Sequence, residues 1–267
     1  MALRSYLTGA SRLYRRDGFD SVFHRGLEKV ERDVGNALPA IGDTLCRALS
    51  VRELRGYQSS EDDLTDIIDT AYDYRGYGAY RSIEPMQIRA ELRDFVEAVA
   101  ASDPETVCEI GTARGGSYYV WAQYLAASNY LSIDLPGGRF GGGHSLRRAE
   151  FLRDVCDRPG LDQAFLRGDS HSPATARHVE EILDGDAIDF LFIDGDHTYD
   201  GVKDDFERYS PFVADGGLIA FHDIVTIDHD PDCEVDRFWH ELREEYETTE
   251  IVADPRQDRG GVGLVHW

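Results

Sequence analysis

The chain has 267 residues, 42% of them apolar, which suffices for one large α/β domain plus an appendage. Its formal net charge of −23 makes a polyanion such as nucleic acid an unsuitable partner. No apolar stretch approaches the roughly 18 residues of a membrane span, and the N-terminus lacks the apolar centre of a signal peptide.

The charge is unevenly spread. Residues 1–56 hold ten Arg/Lys against seven Asp/Glu, a net of +3, which leaves −26 for the remainder. Only Lys29 and Lys203 are lysines, and an acid-rich, Lys-poor composition resembles that of proteins from salt-adapted organisms. Cys46, Cys108, Cys156 and Cys233 are far apart with no C-x-x-C pair. They read as reduced thiols of a cytoplasmic protein rather than a thiolate zinc site or redox dithiol.

The first 80 residues read as a helical extension. "SVFHRGLEKVERDV" sets Val22, Phe23, Leu27, Val30 and Val34 on one helical face, and Gly35 and Asn36 end it. That stripe suits packing on the main domain, pairing in a homo-oligomer, or contact with an anionic membrane surface. "SSEDDLTDIIDTAY" opens a second helix with Ser60 as candidate N-cap and acids in its first turn.

Residues 81–267 read as the main domain. A helix is expected over about 85–101 with Pro85 at its start, then a short strand "TVCEI", a helix over about 115–127, and strand two, "YLSID". A helix near 145–157 leads to strand three, "AFLRGDS", and Ser172 and Pro173 start the next helix. "AIDFLFID" is strand four, followed by a helix at about 199–209, and "GGLIAFHD" is strand five. A helix over 234–246 precedes the last strands, "TTEIVAD" and "GGVGLVHW". Alternation of this length predicts a doubly wound parallel sheet, with ligands beyond the carboxyl ends of the strands.

Polar residues gather at those ends. After strand one, "CEIGTARGGS" forms a glycine turn that lets a ligand approach the backbone and leaves helix N–H groups unpaired. "GTARGG" lacks the second glycine of the dinucleotide fingerprint. "VCEIGTARGGS" instead resembles the first motif of class I S-adenosylmethionine-dependent methyltransferases, in the branch with small-molecule and sugar O-methyltransferases and cephalosporin-hydroxylase-like proteins. The resemblance extends to "RSIEPMQ" and to "FIDGDHTYDGVKDDFERYSPFVADGGLIAFHD", about residues 80 to 245 in all. It implies a Rossmann-like methyltransferase fold, with a doubly wound, seven-stranded, mostly parallel sheet. It also implies an S-adenosyl-L-methionine site built from Glu109, Gly111, Thr112, Gly115 and Ser117. Asp134 would take the ribose, and Asp169 and Ser170 the adenine edge.

Asp194 ends strand four, and His222 and Asp223 end strand five. Adjacent parallel strands bring such tips together, and one acid plus a neighbouring pair suits a hard divalent cation. The set resembles that of catechol O-methyltransferase and metal-dependent sugar O-methyltransferases, which implies Mg²⁺ or Mn²⁺ and a hydroxyl acceptor such as one on a saccharide. His222 replaces the usual acid. Either imidazole changes the preferred ion, or Asp223 acts without it. Two candidate bases follow, His197 and Asp196. Hydroxylase and non-catalytic cofactor-binding readings stay open, as does a metal-independent transferase. "GGRFGGGH" reads as a lid or a connector. Tyr118, Tyr119, Trp121, Tyr124 and Trp239 read as core, and Tyr72, Tyr74, Tyr77 and Tyr80 as packing or a sugar pocket.

Overall fold

A computed structural model describes residues 39–58, 63–137, 145–227 and 229–267. The amphipathic stripe of residues 22–34, its Gly35–Asn36 stop, Ser60 and most of the "GGRFGGGH" loop lie outside the described residues.

The chain divides into two compact units. Among the described residues, one holds residues 39–54 with Arg75–Arg81, and the other holds those between Arg55 and Tyr74 with those from Ser82 to Trp267. In the smaller unit, Tyr80 Oη donates to Asp43 at 3.2 Å and the Tyr77 N–H donates to Ser50 Oγ at 3.0 Å. Tyr77 and Tyr80 are both buried.

The larger unit holds a seven-stranded sheet in the order β3-β2-β1-β4-β5-β7-β6. Its strands are β1 (Thr106–Ile110), β2 (Asn129–Asp134), β3 (Asp162–Arg167), β4 (Ile188–Ile193), β5 (Val213–His222), β6 (Glu247–Ile251) and β7 (Val262–His266). All pairings are parallel except those of β7 with β5 and β6. All five residues of β1 are buried, as are all of β4 but Asp189. Strands covered on both faces need such unbroken apolar runs. Asp189 is the exception with a purpose: its carboxylate accepts the N–H groups of Glu105 and Thr106 at 3.0 and 2.9 Å, where β1 begins.

Helices α1 (Pro39–Gln58), α2 (Leu64–Asp73), α3 (Arg89–Ala100), α4 (Gly116–Tyr124), α5 (Leu146–Cys156), α6 (Pro173–Leu183), α7 (Tyr199–Tyr209) and α8 (Val235–Glu245) complete the described residues. Asp63 caps α2 by accepting the Thr65 N–H at 2.8 Å. Ser172 caps α6 with Pro173 in its first turn, as the sequence predicts. On one sheet face, Phe95 of α3 packs edge-on against Trp121, Phe190 and Phe192, with ring centroids 4.9, 5.8 and 5.2 Å away. On the other, Phe206 and Phe238 meet Phe221. Trp239 is buried, as are Tyr118, Tyr119 and Tyr74, while Tyr124 is exposed.

One helix starts later than its proline suggests. α3 begins at Arg89, not Pro85, because residues 85–88 have other partners. The Gln87 carbonyl accepts the Tyr72 hydroxyl at 2.5 Å, and its side chain reaches the sheet. Strand order reverses at β1, with β2 and β3 on one side and β4 and β5 on the other. The crevice that such a reversal opens lies beyond Ile110 and Ile193.

Candidate active site

The turn after β1 is tight because three chains meet there. The Asp194 N–H donates to the Ile110 carbonyl at 2.9 Å, and Gly111 N–H to the Ile133 carbonyl at 2.9 Å. Gly111 has φ +90°, and a Cβ on it would sit 1.9 Å from the Asp194 carbonyl oxygen. Gly115, at φ +88°, leads into α4 with the Leu152 side chain against its Cα. Ala113 also takes positive φ, and its N–H donates to Asp134 Oδ2 at 2.6 Å. Asp134 is thereby fixed at the tip of β2 with its carboxylate on the cavity wall. Burial raises its pKa, opposed by these backbone donors.

Glu109 lies beneath this turn. It is buried and accepts a short hydrogen bond from Ser117 Oγ. Burial pushes its carboxyl up to about 8, against the Ser117 bond. Thr112 Oγ1 and Ser132 Oγ are 2.5 Å apart.

A cavity of about 480 Å³ opens above, lined by Gly111, Thr112, Ser117, Asp134, Asp169, Ser170, Asp194, Asp196, His197, His222 and Asp223 among others. Of the residues expected at a cofactor, only Glu109 and Gly115 stand behind its wall. The volume is that of an ordinary small-molecule site. Asp169 Oδ1 accepts the His171 N–H at 3.0 Å, and the Ser170 carbonyl accepts the Tyr209 hydroxyl at 2.8 Å.

At the other end, the tips of β4 and β5 converge. His222 Nδ1 is 3.2 Å from Asp194 Oδ1 and 3.4 Å from Asp223 Oδ2. His197 lies between the same acids, with Nε2 3.4 Å from Asp194 Oδ1 and Nδ1 3.4 Å from Asp223 Oδ2. Burial works against ionisation of all four. It is outweighed for Asp194 by the His222 charge and by bonds from both rings, which hold it at about 2. His197 is pushed to about 11 and His222 to about 10 by the two acids, and Asp223 lies below the usual carboxylate range. The two rings and the two carboxylates thus each favour the other's charged form. Asp196 is different: it is exposed, and its Oδ1 accepts the Thr198 N–H at 2.9 Å over the start of α7.

The donor set fits a divalent cation. Donors about 2.1 Å from an ion stand about 3.0–3.4 Å apart at octahedral or tetrahedral angles. His222 Nδ1 stands at such separations from Asp194 and Asp223, and one atom of each of the three lies within 4.8 Å of the others. His222 Nε2 and Gln87 Oε1 are buried with no hydrogen-bond partner among the described residues.

Residues 108–224 match the family model described as a methyltransferase domain. That match covers less than half of the chain. The chain's fold is shared with an O-methyltransferase from Bacillus cereus solved with SAH, at 15% identity and TM-score 0.52, covering 91% of this chain and 99% of that one. TomG of Streptomyces achromogenes, an O-methyltransferase of tomaymycin synthesis solved with SAM, matches at 15% identity and TM-score 0.50, over 77% of this chain and 90% of that one. An uncharacterized protein of Acanthamoeba polyphaga mimivirus is 33% identical over 121 residues, 45% of this chain and 52% of its own length. An uncharacterized protein of Sinorhizobium fredii is 27% identical over 149 residues, 54% of this chain and 16% of its own length. The chain thus spans about half of one curated relative and about a sixth of the other.

Three features of the site escape a reading of strand tips. Gln87, just before α3, donates to Asp194 Oδ2 at 2.6 Å and lines the cavity. Glu91, buried in α3, accepts N–H donors from Ala253 at 3.0 Å, Gln257 at 2.6 Å and Gly261 at 3.0 Å. The loop so pinned presents the Gly260 N–H to Asp223 Oδ1 at 3.1 Å. Cys233 reaches the same end of the cavity. The "RSIEPMQ" resemblance was the sole signal for Gln87; none exists for Glu91 or Cys233.

Proposed function

We propose that the protein is an O-methyltransferase that moves a methyl group from S-adenosyl-L-methionine to a hydroxyl of a small molecule, a saccharide or glycosylated compound, with a divalent cation at Asp194, His222 and Asp223. The observation that carries this reading is the convergence of Asp194, His197, His222 and Asp223 at one end of a cavity whose other end is a glycine turn and the Asp134 carboxylate.

Asp134 would accept the ribose hydroxyls, and Asp169 and Ser170 line the side where the adenine edge would rest. Thr112 and Ser117 line the turn that would face the methionine part, with Gly111 keeping its backbone close. Transfer needs the acceptor oxygen in line with the sulfonium methyl and stripped of its proton as it attacks. His197 takes that proton; Asp196, committed to the start of α7, does not. A bound divalent cation would supply positive charge that lowers the pKa of the acceptor hydroxyl. Gln87 holds Asp194 in register from the opposite wall. In the same reading, the residues before Arg55 serve subunit pairing or lipid contact, and the unbridged cysteines suit the cytosol.

Calorimetric titration separates this from the hydroxylase reading. Binding of S-adenosyl-L-methionine, with none of NAD or 2-oxoglutarate, is expected. Turnover should cease after exhaustive chelation while S-adenosyl-L-methionine still binds. Full turnover in the chelated protein would remove the cation from the mechanism.

A further inference from the structure

A second set of donors overlaps the first. His197, Asp223 and Cys233 each offer one ligand atom, and these lie within 4.8 Å of one another. The sequence gives no hint of it, since 36 residues separate His197 from Cys233. The fold brings them together by a backbone bond: the Glu234 N–H donates to the His197 carbonyl at 2.8 Å. A second bond, from the Cys233 N–H to the Asp230 carbonyl at 3.1 Å, turns the chain just before α8. Cys233 is partly exposed and lines the cavity, so an ion can reach it.

The chemistry of the two sets differs. Asp194, His222 and Asp223 give two oxygens and a nitrogen. The other set gives a sulfur, a nitrogen and one oxygen, a combination that favours Zn²⁺ and similar ions over Mg²⁺. Tetrahedral Zn²⁺ with Zn–S near 2.3 Å and Zn–N near 2.0–2.1 Å places its donors about 3.4–3.6 Å apart. His197 Nδ1 and Asp223 Oδ2 are already 3.4 Å apart. The sulfur needs at most about an ångström of side-chain movement to join them.

We propose that His197, Asp223 and Cys233 form a thiophilic cation site whose occupation by Zn²⁺ switches methyl transfer off. The sets share Asp223, whose Oδ1 is engaged by Gly260, so Oδ2 serves one ion or the other. Zn²⁺ held here also occupies the ring that takes the acceptor proton. The inhibitory effect rests on the function proposed above; the site itself does not.

The test uses Co²⁺ as a spectroscopic stand-in and Zn²⁺ itself, on the full chain under reducing conditions. Co²⁺ should give a thiolate-to-cobalt charge-transfer band in the near ultraviolet, absent from Cys233→Ser, with excess Zn²⁺ bleaching it. Circular dichroism of Cys233→Ser establishes that it is folded. With Mn²⁺ supporting turnover, Zn²⁺ should inhibit wild type at least about tenfold more tightly than Cys233→Ser, each normalised to its own rate. Lack of the band in wild type, or its persistence in Cys233→Ser, overturns the site. A band with equal Zn²⁺ inhibition of both proteins overturns the switch. Should no acceptor be methylated under any condition, the functional reading fails while the cobalt band still decides the site.

Discussion

Gly111→Ala gives the sharpest test of how the glycine turn and the tip of β4 are coupled. The added Cβ would lie 1.9 Å from the Asp194 carbonyl oxygen, 2.4 Å from its carbon and 2.7 Å from the Gly195 nitrogen. A carbon approaches a carbonyl oxygen no closer than about 3.3 Å, so one chain must retreat by more than about 1 Å. All three atoms are backbone, so no rotamer change relieves the contact. Overpacking costs about 1–3 kcal/mol, and a non-glycine residue at φ +90° costs about 1–3 kcal/mol more. The sum, about 2–6 kcal/mol, is a large part of a domain's stability. Gly185→Ala separates the terms, because Gly185 has φ +97° with nothing within 4 Å of its virtual Cβ. Urea unfolding of both variants should show Gly111→Ala the less stable by at least about 1 kcal/mol. Displacement of Asp194 by about 1 Å should cost about a hundredfold in transfer, whereas Gly185→Ala keeps full activity. Equal stability of the two variants, with transfer intact in Gly111→Ala, would refute the coupling.

Glu91→Gln replaces an acceptor of three N–H bonds with a group that must donate from one side, so urea unfolding should show a loss of about 2–4 kcal/mol. Mn²⁺ affinity, read by electron paramagnetic resonance, should fall with it, because the Gly260 N–H no longer holds Asp223; unchanged affinity would confine Glu91 to stability. Glu109→Gln should keep S-adenosyl-L-methionine binding near wild type, since the buried carboxyl, raised to about 8, is uncharged at neutral pH, whereas Glu109→Ala leaves Ser117 without its acceptor. His171 is raised to about 9, chiefly by the buried Asp205 carboxylate, 3.4 Å away. A raised histidine stabilises fully below about 6.5 and loses that contribution as pH climbs through about 9. Urea midpoints of wild type should therefore fall over that window relative to His171→Gln, and parallel curves would count against the pair.

The strands and their tips were legible because their signals are local. "FLFID" and "LIAFHD" are apolar runs that end in ligand-type residues, and parallel pairing of Ile193 with Phe221 makes those ends neighbours. Helix starts were less legible where a residue had a tertiary use. Pro85 suits a helix start, yet Gln87 is drawn toward Tyr72 and Asp194, and the helix waits until Arg89. Gln87, Glu91 and Cys233 act across 107, 170 and 36 residues of chain, respectively. No periodicity or short motif encodes such distances. Asp196 and His197 could not be ranked from the sequence because their directions depend on how the loop enters α7. There Asp196 bonds Thr198 and covers Gly201, where an added Cβ would be 2.3 Å from its Cγ.

Asp223 shows why the site needs more than its ligands. It adopts φ +61°, a conformation that an L-residue holds only when its surroundings impose it. Backbone bonds from Val225 to the Gly260 carbonyl, at 3.0 Å, and from Gly260 to Asp223 Oδ1, at 3.1 Å, supply that constraint. Glu91 in turn ties Gly261 to α3. One carboxylate oxygen is thereby spent on holding the strand tip, and the other is left facing His197 and His222. A relaxed Asp223 would free both oxygens but aim neither. The strain is thus part of what makes a single oxygen available at a fixed distance from both rings, and a loop far from the glycine turn sets the geometry on which cation and acceptor would depend.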